Sequence, residues 1–84
     1  MNLYSFVEFG TFTQRLADYM DDEEFRNLQN FLLVEPLAGA VIPGTGGVRK
    51  LRWPGSGRGK RGGLRVIYYV AAPRAAFLLL FIYA

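Results

Sequence analysis

Cysteine and histidine are both missing from this 84-residue chain. The first absence excludes a disulfide, a zinc–thiolate centre and a cysteine nucleophile. The second removes the side chain that most often serves as general base or metal ligand. Any chemistry must therefore come from lysine, arginine, tyrosine or carboxylate. Acidic residues are missing from everything after Glu35: all seven fall within residues 8–35, whereas seven of the ten basic residues fall within 49–65. The net charge of +3 thus hides a chain with an acidic first half and a basic second half. An acid-free basic block is the electrostatic footprint of a polyanion partner. A hydrophobic run of membrane-spanning length is absent too. Residues 75–84 are very apolar, but at about half of the roughly 20 residues a spanning helix needs, they predict a buried strand. The N-terminus lacks the basic and apolar regions of a secretory signal, so the expected location is the cytoplasm, with no membrane contact.

What is present suffices for one small core. Half the residues are hydrophobic and 15% are aromatic, more than a disordered chain carries, and the length allows a single domain. Residues 3–9 alternate loosely and predict a strand, ended by Gly10. Thr11 or Thr13 is placed to cap a short helix through Met20, with Phe12, Leu16 and Tyr19 or Met20 at helical spacing. Asp21 followed by Glu24 predicts a capping box for a second helix. That helix has Phe25, Leu28, Phe31 and Leu32 on its apolar side, and Pro36 forces its end near Val34 or Glu35. This reads the acidic cluster as capping rather than a metal site. Residues 36–47 are a Pro- and Gly-rich connection. Residues 48–53 predict a strand with Leu51 and Trp53 on one face and Lys50 and Arg52 on the other. A Gly-rich loop over residues 54–63 precedes strands at 64–71 and 76–83, with Pro73 marking the turn between them. The fold class expected is α+β, order β-α-α-β-β-β, with two N-terminal helices packed on a small, mainly antiparallel sheet.

Two glycine patterns are set aside. Gly57, Gly59 and Gly62 satisfy a GxGxxG spacing, but a dinucleotide fingerprint must open a helix and this loop is expected between strands. Gly59-Lys60 lacks the flanking residues of a phosphate-binding P-loop. Trp53, Tyr68 and Tyr69 have faces on which bases could stack, although strand aromatics in so small a protein more often serve the core.

The informative stretch is GTGGVRKLRWPGSGRGKRGGLRVIYY, residues 44–69. In order it has a Gly-rich turn, a basic strand ending in Trp, a GKRGG loop and an Arg-hydrophobic-Tyr strand. This resembles the RelE/HigB-like toxins of type II toxin-antitoxin systems, within the RelE/ParE superfamily. Pro36-x-x-Gly39 after the helical pair fits the same pattern, so the resemblance covers nearly the whole chain. It implies one RelE-like domain over residues 1–84. The family commonly continues into a short polar tail with a further basic residue and, in several branches, a catalytic tyrosine; this chain ends at Ala84, before such a tail. Tyr83 belongs to the last strand and is expected to be a core or edge aromatic.

By that resemblance the function is that of an endoribonuclease that enters the ribosome, contacts ribosomal RNA and cuts messenger RNA, held inactive by a cognate antitoxin protein. Cleavage in the family proceeds by attack of the ribose 2'-hydroxyl on the adjacent phosphate, with neither metal nor small-molecule cofactor. The basic positions of the family fall on Lys50, Arg52 and Arg65, which become the expected catalytic residues. Arg65 is assigned to the scissile phosphate, Lys50 to proton transfer or charge stabilisation, and Arg52 to phosphate positioning. Guanidinium groups suit phosphate oxygens because their donors form a fixed fork, and lysine crowded by other cations gives up a proton more readily. Arg49, Arg58, Lys60 and Arg61 are expected to grip the RNA backbone. The rival expectations are a catalytically inactive RelE-like domain that only binds RNA or an antitoxin, and a generic basic module that binds nucleic acid without preference.

Overall fold

The computed structural model describes residues 4–54, 63–71 and 76–84. Strand β1 (Ser5–Glu8) leads into helix α1 (Gly10–Tyr19), which is followed closely by helix α2 (Asp22–Val34). The strands β2 (Ala40–Val41), β3 (Arg49–Trp53), β4 (Leu64–Ala71) and β5 (Ala76–Tyr83) complete the chain. All five strands form one sheet in the order β1-β5-β4-β3-β2. β2, β3, β4 and β5 pair antiparallel, and β1 joins the far side of β5 in parallel. The α+β class, the helical pair and the last three strands agree with the sequence reading. β2 is an addition to it: two residues carry no period, and only pairing of Ala40 with Lys50 and Val41 with Arg49 makes them a strand.

The two helices start in different ways. At α2 the Asp21 carboxylate accepts from the Glu24 amide at 2.8 Å while the Glu24 carboxylate accepts from the Asp21 amide at 2.9 Å, the expected capping box. α1 has no side-chain cap, contrary to expectation: its N-cap is Phe9. Thr11 Oγ1 instead donates to the Leu80 carbonyl of β5, and Thr13 Oγ1 to Glu8 Oε1 at 2.9 Å. The start of α1 is held by the neighbouring strand, because the Phe9 amide donates to the Leu79 carbonyl and its own carbonyl receives the Phe12 and Thr13 amides. The helices are 10 and 13 residues, and none among the described residues is long and apolar enough to cross a membrane.

The core lies between the helices and one face of the sheet. Phe12, Leu28 and Leu32 from the helices meet Leu51, Leu64, Val66, Tyr68, Phe77, Leu79 and Ile82 from the strands. Phe31 packs on Trp53 with ring centroids 5.3 Å apart, so Trp53 belongs to this layer. Leu79 and Ile82 are three residues apart and would point to opposite faces of a regular strand. A register shift opposite Ile67 and Tyr68 leaves Leu80 unpaired in the β4–β5 ladder, and this bulge returns both residues to the core. The apolar terminal run is therefore an interior strand, as expected.

Candidate functional site

Alternation along β3 and β4 sorts their side chains between the two faces. Leu51 and Trp53 turn to the helices, while Lys50 and Arg52 are exposed on the face the helices leave open. On β4, Leu64, Val66 and Tyr68 are buried, which puts Arg65, Ile67 and Tyr69 on the open face. Register decides which of them meet. Arg52 stands directly opposite Arg65, and Arg65 directly opposite Tyr83 of β5, giving a row Arg52, Arg65, Tyr83 across three strands. The adjacent row is Lys50, Ile67, Phe81. Neighbouring strands are only about 4.8 Å apart, so the three expected catalytic cations form one cluster.

None of these three is engaged in an ion pair with a carboxylate among the described residues. The acids are elsewhere: six of the seven lie within residues 18–35, on the helices and their ends. The charge division along the sequence thus becomes a division across the sheet, with the acidic helical layer on one side and the basic open face on the other. Two cations directly opposite in a ladder repel each other, at a cost of roughly 0.2–1 kcal/mol. A phosphate seated between them would convert that repulsion into two charge-assisted contacts.

Arg49 is not part of this cluster. It is on the helix-facing side of β3, and its Nη1 donates to the carbonyls of Leu37 at 3.2 Å and Gly39 at 2.7 Å. The neighbouring Tyr68 hydroxyl accepts from the Gly39 amide and donates to the Pro36 carbonyl, each at 2.9 Å. Arg49 and Tyr68 together therefore clasp the Pro36-x-x-Gly39 segment. Burial pushes the Tyr68 hydroxyl above its usual value, against smaller opposing effects of the Gly39 amide and Arg49. A Cβ at Gly39 would lie 2.8 Å from Tyr68 Cε1 and 3.1 Å from the Lys50 carbonyl carbon, which explains the glycine. Arg58, Lys60 and Arg61, together with Gly57, Gly59, Gly62 and the turn at Pro73, lie outside the described residues.

Three side chains escaped the sequence reading. Tyr83, expected as a core or edge aromatic, is half-buried on the open face beside Arg65. Phe81 lies 5.8 Å from it, ring to ring. Arg15 of α1 donates from Nε to the Ile82 carbonyl at 3.2 Å and holds its guanidinium 4.9 Å over the Phe81 ring. The two-residue spacing of Phe81 and Tyr83 put them on one face from the start. Their adjacency to Arg65 depends on the bulge and the register, which leave no local signal. Compared with protein-family models, the chain matches none.

Proposed function

We propose that this protein is a RelE/HigB-like, ribosome-dependent messenger-RNA endonuclease, the toxin of a toxin-antitoxin pair. The single observation carrying this reading is the facing pair Arg52 and Arg65, with Lys50 one step along the same face and no carboxylate paired with any of them among the described residues. The β-α-α start and the antiparallel strands that follow accord with the plan implied by the resemblance. In the reaction the ribose 2'-oxygen bonds to the adjacent phosphorus while the bond from phosphorus to the 5'-oxygen breaks. A proton leaves the 2'-hydroxyl and one is delivered to the departing 5'-oxygen. Arg65 would hold the scissile phosphate as negative charge builds on its oxygens, Arg52 would position the phosphate, and Lys50 would transfer a proton or stabilise charge. Ribosomal RNA would be drawn to the same basic face, and the antitoxin would act by covering it or by preventing ribosome entry.

The test is primer extension on a defined message in a purified translation system, comparing the chain with its Arg65→Ala variant. Cleavage within the decoding-site codon is expected, falling about 100-fold or more in the variant, the usual loss when a group stabilising transition-state charge is removed. A folded, ribosome-binding chain that leaves the message intact would overturn the nuclease reading in favour of an inactive binding domain.

A further inference from the structure

We infer that Arg49 is a positioning residue for Lys50: from the covered face it holds β2 against β3, and so fixes the stretch of backbone that carries Lys50 on the open face. The catalytic role of Lys50 rests on the nuclease reading, but the coupling between the two residues does not. They are neighbours in sequence with side chains on opposite faces, so Arg49 reaches Lys50 only through the backbone. β3 pairs with β4 over five positions but with β2 over two, Ala40 with Lys50 and Val41 with Arg49. β2 is also the outermost strand, and so short a pairing does not hold by itself. One end of this hairpin is closed by its turn, where the Ile42 amide donates to the Val48 carbonyl at 2.8 Å and Thr45 Oγ1 accepts from the Val48 amide at 3.1 Å. The other end, where Lys50 lies, is closed by side chains. Arg49 Nη1 donates to the Leu37 and Gly39 carbonyls, and Tyr68, directly opposite Arg49 in the ladder, bonds the Gly39 amide and the Pro36 carbonyl. Gly39 is thereby pressed onto Lys50: it is buried, and a Cβ there would lie 3.1 Å from the Lys50 carbonyl carbon. Without these bonds β4 alone would hold β3 at Lys50, and a side chain that must meet a phosphate in one geometry would sit on a free sheet edge.

The experiment measures single-turnover cleavage of a ribosome-bound message and, separately, solvent exchange of the lysine backbone amides by NMR. In Arg49→Met the cleavage rate constant should fall about 10- to 100-fold, the scale of a small misplacement of a reacting group, while the half-saturating protein concentration stays within about twofold of the parent. Arg49→Lys should recover the rate to within about threefold, because one nitrogen serves both carbonyls and an ammonium can take its place. Combined with Lys50→Met, Arg49→Met should slow cleavage no further, since the residue through which it acts is gone. Weaker half-saturation with a shallower salt slope would instead make Arg49 an RNA contact, and losses that multiply in the double variant would make it merely structural; either overturns the inference. Lys50 and Lys60 are the two lysines of the chain, so a nitrogen-15 lysine spectrum carries two amide signals, assigned with Lys50→Met. Lys50 is two residues from Val48 and directs its amide to the same side, towards β2. That amide should exchange at least about tenfold faster in Arg49→Met, and unchanged exchange would overturn the coupling. Where Arg49→Met does not fold, Tyr68→Phe removes the other half of the clasp without loss of charge and carries the same expectations. Failure of the nuclease reading looks different: no cleavage by the parent chain, with Lys50 exchange still governed by Arg49.

Discussion

The two faces of this sheet are built from the same strands, residue by alternate residue, yet they are different surfaces. The helix-covered face carries Leu51, Leu64, Val66, Phe77, Leu79 and Ile82, all buried. Its polar groups are matched: no buried side-chain nitrogen or oxygen among the described residues lacks a partner. The open face carries Lys50, Arg52 and Arg65 with Tyr83 and Phe81, and there two cations stand opposite one another. A surface optimised for stability alone would pair such charges with carboxylates, of which the chain has seven. The contrast is between a covered face whose buried polar groups are all partnered and an open face on which Lys50, Arg52 and Arg65 meet no carboxylate among the described residues.

The comparison can be broken most forcefully at Phe77, which is fully buried and meets the rings of Tyr4, Phe6 and Tyr68. Phe77→Ala should cost about 3–5 kcal/mol, enough to unfold much of a domain this small, and denaturant titration would read it. Next comes the clasp on the covered face. Tyr68→Phe leaves the Gly39 amide and the Pro36 carbonyl without their partner and should cost about 1–3 kcal/mol in the same assay. This residue also predicts a pH dependence. Its folded value is raised above the ordinary 10.0, so the unfolded state ionises first. Its contribution is complete below that ordinary value and declines as the pH rises towards the folded one; Tyr68→Phe should abolish that alkaline decline.

Asp21→Ala removes the capping box of α2 and should cost about 1 kcal/mol, without touching RNA binding, because the cap lies in the helical layer. The smallest effect sharpens the comparison best. Arg52→Glu puts opposite charges across the β3–β4 ladder and should raise stability by up to about 1 kcal/mol while weakening RNA binding. Stability and binding moving in opposite directions at one residue would mark the open face as functional surface. A loss of stability in this variant would instead mean that the facing arginines contribute to the fold.

Much of the architecture was legible in the sequence, element by element. β4 and β5 have their expected bounds, α2 has its capping box, and β3 alternates as Leu51 and Trp53 against Lys50 and Arg52. The start of α1 was misjudged, because Thr11 and Thr13 have the chemistry of caps but are used to tie the helix to β5 and β1. The role of Arg49 was not legible either. Nothing local distinguishes it from Lys50 and Arg52, and only the returning Pro36-x-x-Gly39 segment supplies the carbonyls it binds.

By itself, then, the sequence determined what short-range rules control: which residues alternate, where helices cap, and that the acids and the bases occupy separate halves of the chain. Tertiary structure alone decided what strand register and the Leu80 bulge control. These bring Arg52 to Arg65, Arg65 to Tyr83 and Arg15 to Phe81, pairings between residues up to 66 positions apart. The physical reason is that a side chain's face follows from its own strand's period, whereas its neighbour follows from the pairing of strands, which the whole buried core selects.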